Sequence, residues 1–311
     1  MIISSIQEII NQWSAKVEPS WWSKYLFHYS DIDNVIKILN EGYLYSRNLA
    51  KNKNLLTIDS ARQDVIQNTD DWVHDYARLY FRPKTPALHN IEGFCPEGIC
   101  SPKYKAHCPI PIYLVFDSVK VLSMTDIKFS DESLAGSNCE VYDNVINLEY
   151  LPFEKIYHNF PVSELEKRNI VYHRHAEVVV PLYLPLENNL SFIVCRSEAE
   201  RETLNTLLDY NIRQKYINKI KASPLCCFCK RQFISKVILN SDTIEIKYNR
   251  VLLAPFNYEY VIEYKDGKKS MIFFNNPVPK FKLNHLSDNY TFKILIDNHI
   301  AYCGEFVALP F

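Results

Sequence analysis

The sequence predicts an α+β protein, with a mixed helix-and-strand domain over residues 1–222 and a small all-β, sandwich-like domain over 223–311. Three observations carry this reading. Up to about residue 205, short apolar runs such as IYLVF (112–116), EVVVP (177–181) and SFIVC (191–195) mix with amphipathic stretches. They do not alternate regularly with helices, so a doubly wound sheet is not expected. After 222 the pattern changes to strand-like runs, KVIL, TIEIKY, EYVIEY, KSMIFF, YTFKILI and YCGEFVALP, separated by turn residues. The change falls near Ser223–Pro224.

Each element has a local reason. The opening MIISSIQEIINQWSAK puts Ile6, Ile9, Ile10 and Trp13 on one face of a helix that ends near Pro19. Tyr25 to Tyr29 reads as a strand that runs into a helix, with Ser30 or Asp31 as N-cap. Ile32, Val35, Ile36 and Leu39 form its apolar stripe and Gly42 closes it. His28 is thereby expected at a strand end beside a helix N-terminus, where free backbone N–H groups favour phosphate. Residues 49–75 read as a polar helix with flanking loops. ARLYF (77–81) is a strand stopped by RPKTP, and KVLSM and KIY are expected as further short strands. Ser197 and Glu200 form a capping box. KDGKK at 265–269 is an Asp-Gly hairpin turn.

Composition narrows the function. The chain is 47% hydrophobic and 14% aromatic with a formal net charge of −1, so it is a packed protein with no global field for nucleic acid or membrane. An anionic partner needs a local patch. Residues 210–250 supply one, with nine Lys and Arg against Asp242 and Glu245 and with Tyr210, Tyr216, Phe228, Phe233 and Tyr248 interleaved. Cations with flat rings suit single-stranded nucleic acid, although such a run also serves as a solvated face. No run approaches the roughly 18 apolar residues of a membrane span. Nine cysteines and no signal peptide point to reduced thiols in the cytoplasm. The spacings of Cys95, Cys100, His107 and Cys108, and of Cys226, Cys227 and Cys229, match no ordinary zinc loop, so no metal is expected.

The chemistry centres on Glu177, a carboxylate that leads into the apolar run Val178, Val179 and Val180. Such a group is costly unless it is paired or used. It reads either as a hydrogen-bonded strand end or as a catalytic acid. Two upstream segments, FHYSDIDNV and HDYARLYFRPKTP, precede HRHAEVVV in the order His, strand-borne Tyr, strand-borne Glu. This order resembles ADP-ribosyltransferases. More closely it resembles the DarT family of toxins, which ADP-ribosylate bases of single-stranded DNA. Family openings of the YHITHIDNL type correspond to FHYSDIDNV, the DYVPFYFxPRSP segment to DYARLYFRPKTP, and an AEF-type strand to AEVVV, over about residues 24–205.

The resemblance implies an ADP-ribosyltransferase-like split-sheet catalytic domain that consumes NAD as a substrate. It implies His28 on the nicotinamide-side ribose, Ser30 as a further NAD-binding residue, Tyr80 lining the nicotinamide pocket, and Glu177 as the catalytic carboxylate. Arg62 in DSARQDVIQ is the one arginine on the polar segment where the family places a further catalytic residue. Lys84 stands where the family has Arg, and Ala87 where it has a larger apolar residue. The implied partners are single-stranded DNA or RNA, an antitoxin and a chaperone, as in toxin–antitoxin and phage-defence systems. A regulator would dock on strand edges such as YCGEFVALPF.

The chemistry agrees on its own terms. Loss of nicotinamide leaves positive charge on the ribose, which a desolvated carboxylate stabilises. The same group can take a proton from an attacking base nitrogen. The chain has no GxGxxG fingerprint, so NAD would not be held in the Rossmann manner. Alternatives stay open. His28 can be a core histidine donating to a strand carbonyl, Tyr80 plain core, Arg62 a surface arginine, and Arg174 and His175 solvent-facing. The whole chain can also be a binding module without catalysis.

Overall fold

The computed structural model describes residues 2–57, 63–95, 107–136, 139–250, 256–283 and 289–308. The chain divides into two compact units, residues 1–90 with 113–193, and residues 91–112 with 194–311.

The first unit is built on one large sheet. Its strands are β1 (Tyr25–Asp31), β3 (Tyr76–Tyr80), β4 (Pro111–Asp117), β5 (Lys128–Ser130), β6 (Val141–Tyr142), β7 (Glu177–Pro181) and β9 (Leu190–Cys195), with β2 (Tyr43–Tyr45) and β8 (Tyr183–Pro185) as a separate ribbon. The hydrogen-bonded order is β9-β4-β1-β3-β7-β5-β6. β4 is buried along all but its last residue, as its continuous apolar run requires of a central strand. The segments carrying His28, Tyr80 and Glu177 become three adjacent strands, β1, β3 and β7. β3 and β7 run antiparallel over five register pairs, from Tyr76↔Pro181 to Tyr80↔Glu177. β1 and β3 share one, Phe27↔Tyr80.

The helix after β1 forms as its sequence dictates. It spans Ile32–Glu41, the Asp31 carboxylate accepts from the Asp33 N–H, and Gly42 adopts φ +78° while donating to the Ile38 carbonyl. β1 runs on to Asp31, so His28 lies inside the strand, not at its end beside the helix N-terminus. Two expected strands are helices instead. KVLSM falls in Ser118–Leu122, where Asp117 caps the Lys120 N–H, and KIY falls at the end of Phe153–Ile156, which follows Pro152. In both, a capping residue or proline at the N-terminus outweighed β-branched composition. The polar 49–75 region holds short helices at Arg47–Asn52 and Gln63–Gln67 and a 3₁₀ turn at Asp71–Asp75.

The second unit holds β10 (Ile220–Ala222), a three-stranded sheet β11-β12-β15 and a four-stranded sheet β14-β13-β16-β17. These are β11 (Ile234–Leu239), β12 (Thr243–Tyr248), β13 (Tyr258–Tyr264), β14 (Lys269–Phe274), β15 (Lys280–Lys282), β16 (Asn289–Ile296) and β17 (His299–Val307). β15 is a strand the sequence reading lacked. Ile234, Val237, Ile244 and Ile246 of one sheet share a core with Tyr258, Tyr260, Phe292 and Ile294 of the other. Phe281 of β15 lies 4.6 Å from the Tyr260 ring centroid. Gly267 at φ +84° turns the β13–β14 hairpin, as Asp-Gly predicts.

Ser197 caps Glu198–Leu207 by accepting from the Glu200 N–H. The Glu200 carboxylate accepts from the Arg196 N–H, one residue before the cap, and also binds the Arg196 guanidinium. Glu92 completes this buried cluster by pairing with Arg196 and accepting from the Phe228 and Cys229 N–H groups. The Cys303 N–H of β17 donates to Thr203 Oγ1 of the same helix, so this edge is partly covered. β14 at the other edge exposes Met271, Phe273 and Phe274.

The cysteines at 108, 139, 195, 226, 227, 229 and 303 are free thiols. Cys95 is disulfide-bonded, which departs from the expectation of nine reduced thiols. Among the described residues no cluster of His, Cys, Asp and Glu is arranged to hold a metal ion, and no helix is long and apolar enough to cross a membrane.

Phe292 is fully buried among Tyr260, Phe281 and Tyr302. Phe292→Ala is expected to destabilise the protein by about 3–5 kcal/mol through lost transfer energy and an unfilled cavity. Urea unfolding checks this, and a loss below about 1 kcal/mol would show that the shared core is not close-packed.

Candidate functional site

Register explains how the site assembles. Tyr80 and Glu177 are directly opposed on β3 and β7, so their side chains share one face of the sheet, and Arg78, two residues before Tyr80, is their diagonal neighbour. Glu177 is 0% exposed. Its carboxylate takes a fork from Arg78, with Nε at 2.6 Å from Oε2 and Nη2 at 2.7 Å from Oε1. The Leu134 N–H donates to Oε1 at 3.2 Å, and the Glu177 N–H donates to Ser130 Oγ at 3.2 Å. A carboxylate has about four acceptor sites. Among the described residues three are filled, and the remaining one is on Oε2. The carboxylate is therefore fixed by a bidentate, charge-assisted pair and keeps one lone pair for other chemistry.

Arg78 is the functional residue that sequence reasoning missed. The signal was in the strand itself: ARLYF alternates, with Ala77 and Leu79 buried while Tyr76, Arg78 and Tyr80 are half-buried on the other face. An arginine between two tyrosines on one face of a core strand needs an acid. Burial opposes the charge on Arg78, but attraction and hydrogen bonding to Glu177 outweigh it and hold the guanidinium above its usual range. Burial, and then the Glu177 carboxylate, push the Tyr80 phenol up to about 12. Its ring stacks on Tyr29 at 5.9 Å and 12°.

His28 Nδ1 donates to the Arg78 carbonyl at 3.0 Å. This is the bond foreseen for a core histidine, and it also fixes the tautomer. Burial lowers the imidazole to about 4, so at neutral pH Nε2 is a bare acceptor. His28 and Ser30 line a cavity of about 200 Å³ with Asn34, Tyr45, Tyr76 and Arg78. Asn34 donates to Ser30 Oγ at 3.1 Å. A more open cavity of about 880 Å³ is lined by Trp72, Lys128, Leu134 and Cys139 among others. Leu134 joins it to Glu177.

The structure thus brings His28, Tyr80 and Glu177 together on adjacent strands, with Ser30 on the His28 cavity. Arg62 lies outside the described residues. Arg174 and His175 are not solvent-facing as expected. Arg174 Nη2 contacts His158 Nδ1 at 2.7 Å and the Phe160 carbonyl at 2.8 Å. Burial pushes His175 down to about 4, against the Glu177 charge.

Two outcomes follow. Arg78→Ala leaves a fully buried carboxylate without its cation and is expected to cost about 3–5 kcal/mol. The Arg78→Ala/Glu177→Ala double variant should recover much of that loss, whereas additive losses in chemical denaturation would show that the two groups are not coupled. His28 and His175 have folded values near 4 against 6.5 when unperturbed. Between these values the unfolded chain binds more protons. Stability is therefore fully present above about pH 6.5 and falls as pH drops towards about 4. His28→Gln should flatten that slope in melts across this range, and an unchanged slope would place the titration elsewhere.

The DarT family, described as ssDNA thymidine ADP-ribosyltransferase, matches residues 27–238. No match was found among curated proteins. Among solved structures, Thermus sp. 2.9 DarT in complex with ADP-ribosylated ssDNA aligns with a TM-score of 0.52 at 18% identity, covering 66% of this chain and 96% of that one. The same protein in complex with NAD+ aligns with a TM-score of 0.50 at 18% identity, covering 66% and 98%. With more than half of its residues matched by the family, this chain belongs to the DarT family of ssDNA thymidine ADP-ribosyltransferases.

Proposed function

We propose that this chain moves ADP-ribose from NAD to thymine bases of single-stranded DNA, with Glu177 as the catalytic carboxylate. The observation that carries the reading is a dry Glu177 clamped by Arg78 with one acceptor site left open among the described residues. The solved relative bound to NAD+ supports the donor, and the relative bound to ADP-ribosylated ssDNA supports the acceptor.

NAD is a substrate here. The His28 cavity of about 200 Å³ is small beside the roughly 300–1,000 Å³ of a whole-ligand pocket, so it suits one end of the dinucleotide. His28 Nε2 accepts from a ribose hydroxyl, Ser30 Oγ adds a second polar contact, and the Tyr80–Tyr29 pair walls the nicotinamide. As the bond from C1′ of the ribose to nicotinamide breaks, nicotinamide leaves with the bonding pair and C1′ gains positive charge. The Glu177 carboxylate stabilises that charge in a water-poor site. Thymidine has one ring nitrogen that still bears a proton, N3. It attacks C1′, and its proton passes to Glu177 Oε2. Pairing hides N3 in a duplex, which explains a preference for single strands. Arg78 acts by holding the carboxylate in place, and Arg62 remains a candidate for binding the pyrophosphate.

An adduct at N3 blocks base pairing. This places the chain as a toxin held in check by an antitoxin, in the compartment where NAD and single-stranded DNA coexist, the cytoplasm. We assign the mixed domain to residues 1–222 and a sandwich-like regulatory domain to 223–311, whose open β14 edge suits a regulator better than the partly covered β17.

Glu177→Gln keeps the shape and most of the hydrogen bonds that Arg78 needs. It is expected to retain fold and NAD affinity and to lose transfer by at least 100-fold, on the order of one acid–base contribution. Mass spectrometry of nucleosides from thymidine-containing oligonucleotides treated with protein and NAD reads this directly. Near-parental ADP-ribosyl-thymidine from the Gln variant would remove Glu177 from the mechanism, and label on RNA oligonucleotides alone would move the substrate to RNA.

A further inference from the structure

We propose that Arg174 and Arg82, together with His158, form a phosphate-binding site that holds the DNA strand next to Glu177. The inference deepens the reading above and rests on it for the identity of the strand.

The first observation is unbalanced charge. Arg82 is 2% exposed. Its Nη1 donates to the Ile156 and His158 carbonyls at 3.2 and 2.6 Å, and its Nη2 lies 3.5 Å from Asn159 Oδ1. These bonds satisfy donors but not charge, and Nε has no acceptor. The Trp22 ring covers the guanidinium at 4.8 Å. Among the described residues Arg82 has no carboxylate partner. Buried guanidinium groups are ordinarily paired with one, as Arg78 and Arg196 of this chain are.

The second observation is that another guanidinium converges on the same segment. Arg174 reaches His158 Nδ1 and the Phe160 carbonyl, its Nε also lacks an acceptor, and it too has no carboxylate partner among the described residues. Burial first, and repulsion from Arg174 second, lower Arg82 to about 9. The nearest acid felt by His158 is Glu166, whose carboxylate accepts from Ser163 Oγ. Two like charges drawn together without a counterion are stabilised by an incoming anion.

The third observation is what surrounds them. Phe160 is 63% exposed and Tyr172 is 48% exposed, and the His158 and Phe160 rings meet edge to face at 5.8 Å. Cations beside exposed aromatic faces are what an unpaired strand requires, since phosphates seek charge and bases seek flat surfaces. Position adds the last constraint. Arg82 follows β3 and Arg174 precedes β7, at the ends of these strands nearest Tyr80 and Glu177, where the Phe81 N–H donates to the Ala176 carbonyl. A phosphodiester held there lies within a few residues of the reacting carboxylate. NAD carries phosphate as well, so the test separates the two sources.

The full chain without NAD is titrated with a fluorescent thymidine-containing oligonucleotide across a series of NaCl concentrations, and NAD affinity is measured by calorimetry on the same samples. The variants are Arg174→Gln and Arg174→Lys. Arg174→Gln is expected to bind the oligonucleotide about tenfold more weakly, with the slope of log K against log salt reduced by about 0.7, the value of one single-strand phosphate contact. Arg174→Lys should restore most of that slope, and NAD affinity should stay within about twofold in both. Unchanged oligonucleotide affinity and slope in the Gln variant, or a loss in NAD affinity instead, would overturn the site. If the parent binds the strand with this salt dependence but transfers no ADP-ribose to it, the activity reading fails while the phosphate site stands.

Discussion

The site depends on a single ion pair. Glu177 opens a strand whose next three residues are fully apolar, and Arg78 is its diagonal neighbour on the adjoining strand. A lone carboxylate at that depth would take up a proton or unfold the strand. With the guanidinium fork in place the acid is paired, oriented and dry at once, which suits stabilisation of a cationic sugar. The same fork fixes the register of β3 on β7, because a slip of one residue would send every side chain to the other face. Fold and chemistry are therefore specified by the same contact.

Much of the frame could be read from the residues. The Ile32–Glu41 helix followed from Asp31, the Ile-Val-Leu stripe and Gly42, and the second unit followed from runs of period two with an Asp-Gly turn. The misreadings share a cause. KVLSM and KIY carry strand-like composition, but Asp117 and Pro152 set helix starts that composition does not register. β15 was missed because three residues, KFK, hold too little pattern. At the site, Glu177, His28 and Tyr80 were legible through a resemblance to a family. Arg78 was legible in the alternation of its own strand, whereas the resemblance pointed to Arg62 in the polar segment.

Histidine 28 shows that the bland and functional readings of a residue need not compete. Its Nδ1 does what a core histidine does, donating to a strand carbonyl, and that bond leaves Nε2 as an acceptor facing a cavity. The neighbouring arginines divide in the same way. Arg78 and Arg196 are neutralised by acids, whereas among the described residues the buried Arg82 and the partly buried Arg174 have no carboxylate partner, the imbalance that the proposed phosphate site would relieve.

The single rung between β1 and β3 has a mechanical meaning. On the β7 side of β3 the ladder runs over five register pairs, while on the β1 side one register pair is joined by the bond from the His28 imidazole to the Arg78 carbonyl. The sheet therefore has a seam, fastened by one backbone rung and one ring, running beside the His28 cavity. On the proposed reading, a nucleotide that engaged Nε2 of that ring would also clamp the seam, so that occupancy of the pocket and stiffness of the strand pair would rise together and amides along β1 would exchange more slowly with solvent.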